Sequence, residues 1–169
     1  MLCYRVPVAH DPSADLALKP VNGDSRTIRE WVTNFHLLLV ALDPFTNESS
    51  WILPTAAKVM GNFTGADVRV AWLCAASADD TKRFLGPLSQ EFLTFADPDR
   101  TAIAGLGLAR LPALVHVRTD LSLAGCAEGW NKAEWSSVCE QLAVTMSWAA
   151  PQFPLNSIQA FEGTAAVLR

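Results

Sequence analysis

The sequence is 169 residues long, 50% hydrophobic and 18% charged, with a formal net charge of −4. Those values indicate a globular chain with room for one buried core, and they exclude a disordered chain. The acidic balance and singly scattered basic residues, with Lys82-Arg83 the only tight pair, exclude a nucleic-acid footprint, which needs a concentrated basic face.

The longest apolar stretch, Leu37 to Leu42, is too short to span a bilayer. The N-terminus has no basic start followed by an apolar core, so a cytoplasmic protein without a membrane segment is expected. The four cysteines, Cys3, Cys74, Cys126 and Cys139, then read as reduced thiols. None forms a CxxC pair. The sequons at Asn47 and Asn62 carry no weight without secretion.

In chain order, residues 1–24 are aperiodic and read as an N-terminal arm. A domain spans 25–150, and 151–169 is a C-terminal tail. The first helix starts near Ser25, with Ile28, Trp31, Val32 and Phe35 forming one apolar stripe. His36 to Leu42 is a strand apolar on both faces, as a central strand covered by helices must be. The loop "DPFTNES" leads into a helix to about Phe63, with Ile52, Ala56, Val59 and Phe63 inward.

Gly65 turns into a second strand, "DVRVAWL". Ser77 to Asp80 cap a helix to about Leu85, stopped by Gly86-Pro87. "EFLTFA" is a short strand. In "DPDRTAIAGLG" Asp97 suits an N-cap and Pro98 the first helical position. "LPALVHV" and "LSLAGCA" are strands joined by a turn short enough to force them antiparallel. Asn131 and Glu134 form a capping-box pattern opening a helix to about Trp148. The tail is apolar at Phe153, Leu155, Ile158 and Phe161. It is expected to dock on the domain or on a second copy, the latter giving a homodimer.

This order predicts an α/β fold, a mixed sheet of about five strands with helices on both faces. Three features carry a resemblance to the thioredoxin-like superfamily, in its peroxiredoxin and thiol-oxidoreductase branch. A buried strand runs through a short loop into a helix with Pro54 in its early part. "RLPALVHV" looks like the family's cis-proline segment, with Pro112 as that proline. A hairpin and the loop "AEGWNKAEW" precede the last helix. The likeness covers roughly Ile28 to Trp148.

By the family's spacing from Pro54, Thr46-Asn47-Glu48-Ser49 stands where CxxC would be, and Val40 where thioredoxins bury an aspartate. Disulfide exchange needs an attacking thiolate and a resolving sulfur, and hydroxyls supply neither. The resemblance therefore implies a redox-inactive binding or interaction module. Its ligand or partner cleft is Thr46, Asn47, Glu48, Leu111, Pro112 and Trp130. A cis peptide before Pro112 would leave the Leu111 backbone free to pair with an extended protein or peptide partner. Thr46, Asn47 and Ser49 are also good N-cap residues for the helix that follows.

The alternative is an enzyme, a single-cysteine peroxidase or thiol transferase using Cys74. Cys126 and Cys139 are expected to be packing residues. His10, His36 and His116 show no metal-ligand spacing, so neither metal nor cofactor is predicted. No GxSxG elbow exists, and "GLGLAR" ends a helix where a dinucleotide fingerprint would open one.

Overall fold

The computed structural model describes residues 8–153 and 158–167. Cys3 and Leu155 lie outside them. A five-stranded sheet forms the centre, in the order β5 (Leu93–Ala96), β4 (Val68–Cys74), β3 (His36–Leu42), β7 (Ala113–Val117), β8 (Leu123–Glu128). Strand β3 is parallel to β4, and β4 to β5. On the other side β3 is antiparallel to β7, which makes a hairpin with β8.

The two-residue period of β3 divides the core. Leu38, Val40 and Leu42 face one layer, while Leu37, Leu39 and Ala41 face the other, and all six are fully buried. The first layer is closed by α2 (Asn47–Asn62), α3 (Ala78–Leu85) and α6 (Lys132–Met146), through Ile52, Ala56, Leu85, Trp135 and Leu142. A short helix α4 (Leu88–Glu91) precedes β5. The second layer is closed by α1 (Ile28–Trp31) and α5 (Thr101–Gly105), through Ile28, Trp31 and Ile103.

Several sequence expectations are corrected. The stretch read as an arm packs on the domain, with Ala9 and Leu16 against the second layer. Strand β1 (Ala17–Leu18) pairs with β2 (Arg26–Thr27), and Leu18 is fully buried in the second layer. Helix α1 is a single turn held by a Thr27–Glu30 capping box, and Phe35 lies outside it and exposed. Helix α5 does not start at Asp97. Its N-cap is Arg100, in the left-handed region at φ 57°. The Asp97 carboxylate instead accepts from the amides of Ala102 and Ile103 at 3.2 and 2.9 Å, reaching forward to satisfy free helix donors. At α6 the Asn131 side chain accepts from the Glu134 amide at 3.1 Å.

The tail contributes structure of its own. Strand β6 (Arg110–Leu111) pairs antiparallel with β9 (Thr164–Ala165), forming a further two-stranded ladder.

Candidate functional site

The C-terminal end of β3 feeds the loop from Asp43 to Thr46 and then α2. Asp43 is buried at 6% exposure and organises the turn. Its amide donates to Ser49 Oγ at 2.9 Å, and its carboxylate accepts from the Phe45 amide at 3.0 Å. Its carbonyl accepts both the Thr46 amide, at 3.1 Å, and the Thr46 hydroxyl, at 2.9 Å. Thr46 thus sits at the N-cap position of α2, but its side chain makes no cap bond. The expected cap is absent because the hydroxyl is drawn back into the turn. Asn47 is exposed and Glu48 half-buried, and Phe45 and Trp51 stand out at 71% and 52% exposure. Pro54 lies inside α2.

A buried ion pair underlies this loop. Arg100 Nη2 donates to Asp43 Oδ2 at 2.7 Å, with both side chains 9% exposed. Its Nη1 donates to the Ala165 and Ala166 carbonyls at 3.2 and 2.8 Å. One guanidinium therefore joins the β3–α2 loop to the C-terminal tail, and its fork shape allows both contacts at once.

The Leu111–Pro112 peptide bond is cis. Leu111 and Trp130 are buried at 0% and 1% exposure. The pairing edge expected to be open at Leu111 is occupied, because Thr164 is its strand partner. Trp130 and Phe161 exchange backbone hydrogen bonds at 2.8 and 3.0 Å, and the Trp130 indole N–H donates to the Ile158 carbonyl at 2.7 Å. The Ala166 amide donates to the Ala109 carbonyl at 3.0 Å.

Two glycines let the backbones come this close. Gly129 (φ 71°) has the Phe161 and Glu162 carbonyl oxygens 2.5 Å from where a Cβ would stand. A Cβ on Gly163 (φ 86°) would fall against the Leu111 carbonyl oxygen. A surface groove of about 370 Å³ remains beside the tail, lined by Trp51, Ile158, Gln159, Ala160 and Phe161. The Trp51 and Phe161 rings meet edge to face at 5.7 Å.

No protein-family model matches the sequence, and no curated protein matches it. Solved structures do. A hypothetical protein from Sinorhizobium meliloti 1021 superposes with a TM-score of 0.65 at 15% identity, covering 94% of this chain and 96% of its own. The thioredoxin domain of a thiol-disulfide oxidoreductase from Bacteroides vulgatus gives 0.62 at 11% identity, with 80% and 98% covered. The pneumococcal exposed lipoprotein thioredoxin Etrx1 from Streptococcus pneumoniae gives 0.60 at 16% identity, with 76% and 99% covered. The fold is thioredoxin-like. At these identities the likeness establishes architecture and leaves activity to the site itself.

Within this thioredoxin-like frame the other candidate residues fall as follows. Thr46, Asn47 and Glu48 lie on the loop and first turn of α2, while Leu111, Pro112 and Trp130 lie beneath the tail strand. Cys74 is fully buried, and burial pushes its thiol well above the ordinary value, with nearby Asp43 adding to the rise. Burial first, then Glu128 and Glu134, push the Cys126 thiol up to about 12. Burial and Glu140 do the same for Cys139, also to about 12. Asp43, Arg100 and Gly163 carried no recognisable sequence signal, because each acts through a partner distant in the chain.

At the far end of β3, His36 Nδ1 lies 2.8 Å from His116 Nε2. His116 is 1% exposed, and its Nδ1 has no hydrogen-bond partner among the described residues. Burial, then the charges of His36 and Arg118, lower its pKa to about 4.

Proposed function

We propose that this chain is a redox-inactive thioredoxin-like module that binds a protein or peptide partner. The carrying observation is the commitment of both loop hydroxyls to backbone structure. Ser49 Oγ accepts from the Asp43 amide, and the Thr46 hydroxyl donates to the Asp43 carbonyl. These are the positions at which the resemblance implies a disulfide-forming pair. Each hydroxyl is bonded to a backbone group rather than to a side-chain base, and no sulfur is there to form or resolve a mixed disulfide.

The alternative, thiol chemistry at Cys74, is not favoured. A fully buried cysteine with a raised pKa supplies almost no thiolate, and the thiolate is the reacting form.

The partner-binding reading is supported by Phe45 and Trp51. Phe45 is exposed on the loop beside Thr46, and Trp51 is exposed in the second turn of α2, where it lines the groove at Phe161. Exposed aromatic side chains ringed by polar ones are the usual anchors of a protein interface. Selection of displayed random peptides on the immobilised chain tests this. Selected peptides should bind Phe45→Ala and Trp51→Ala at least about ten-fold more weakly, the scale expected of an anchor residue. Peptides that bind both variants at full strength would count against the reading.

A further inference from the structure

The tail strand is an unusual part of a folded domain, because it is held mainly by its backbone. Of residues 158–167 only Ala166 is buried, while Phe161, Gly163 and Thr164 are half-buried and the rest exposed. Against this small apolar contribution stand the backbone bonds to Ala109 and Trp130, the pairing of Thr164 with Leu111, and the two carbonyls held by Arg100. A segment whose own residues are mostly exposed and bury few apolar side chains opens at a lower free energy than the core. The surface beneath it is built for an extended chain. It offers backbone donors and acceptors at Ala109, Leu111 and Trp130, a guanidinium for carbonyl oxygens, and a glycine-width gap over Gly129.

We propose that this surface is an exchangeable peptide-strand site, kept closed by the chain's own C-terminal segment. The partner it fits is an extended segment of the tail's chemistry. It carries an aromatic residue where Phe161 meets Trp51, glycine where Gly163 crosses Leu111 and Gly129, a hydroxyl residue at Thr164 and a small residue at Ala166. Such recognition adds a strand, with main-chain bonds giving affinity and side-chain fit giving selectivity. The inference rests on the binding-module reading and names the regulation of that module: a partner binds in proportion to how often the tail lifts.

The test uses the full chain carrying a flexible linker with a protease site between Asn156 and Ser157. After cleavage the tail is held only non-covalently. A fluorescent peptide of residues 158–167 is then titrated and followed by anisotropy. The expected result is saturable one-to-one binding to cleaved protein. Binding to uncut protein should be at least about ten-fold weaker, because a tethered tail competes at millimolar effective concentration. A peptide carrying Gly163→Val should also bind at least about ten-fold more weakly, from the clash at Leu111.

No binding to cleaved protein, or equal binding of the valine peptide, would overturn the proposal. Should the cleaved protein unfold, hydrogen exchange on the intact chain decides. Faster opening of the Trp130, Phe161 and Ala166 amides than of the β3 amides supports exchange, and equal protection overturns it. Either failure leaves the absence of disulfide chemistry untouched, since that is measured by thiol assays.

Discussion

Arg100 and Asp43, 57 residues apart in sequence, form a buried ion pair at 2.7 Å whose other guanidinium nitrogen holds the backbone of the tail. The pair sits directly under the loop that precedes α2. It fixes two things at once, the turn before the helix and the strand over Leu111.

Removing one partner should therefore be costly. Arg100→Met leaves a buried carboxylate and two carbonyls without their donor, and chemical denaturation should show a loss of about 3–5 kcal/mol. Asp43→Asn should also destabilise. The double variant should lose less than the sum of the two, because the unpaired charge is then gone.

The loop hydroxyls give a graded expectation. Ser49→Ala leaves the buried Asp43 amide without its acceptor and should cost about 1–3 kcal/mol in urea unfolding. Thr46→Ala should cost about 0.5–1.5 kcal/mol, through the lost bond to the Asp43 carbonyl and not through a lost helix cap. A larger cost at Thr46 than at Ser49 would contradict the assigned roles.

How much of this was legible in the sequence follows from where each signal lies. The "HLLLVAL" strand is apolar at every core-facing position, so its central place could be read locally. Pro112 and Pro54 were readable because proline restricts its own backbone. The short helix at Leu88 was hidden by Gly86-Pro87, which reads as a plain break. Leu18 docks as a single residue from an aperiodic stretch, with no period to betray it. The seating of the tail over Leu111 and Trp130 depends on Gly129 meeting Gly163 and on Arg100 reaching Asp43. Those are pairings of distant residues, and neither residue of a pair announces the other.

The histidine pair predicts a pH dependence. His116 has its pKa lowered in the fold from 6.5 to about 4, so the unfolded chain binds more protons across that interval. His36 is lowered as well, chiefly by burial and then by Arg118, with Asp120 opposing. Stability should be fully present above pH 6.5 and fall as pH drops toward 4, by on the order of 3 kcal/mol for His116. His116→Phe should flatten most of that slope in denaturation curves taken across the interval. A slope unchanged by the substitution would show that other groups carry it.

Thiol reactivity follows from burial. Cys74, Cys126 and Cys139 should resist alkylation in the native protein, Cys74 most of all, and react readily in denaturant. Mass spectrometry of labelled peptides reads each site separately. Rapid native labelling at Cys74 would favour the thiol-enzyme alternative.

Reduction of insulin disulfides, driven by dithiothreitol, reads directly whether this chain exchanges disulfides. The rate with this protein should equal that with dithiothreitol alone, because no sulfur stands at Thr46 or Ser49. A catalysed rate that disappears in Cys74→Ser would contradict it and make this chain a thiol enzyme.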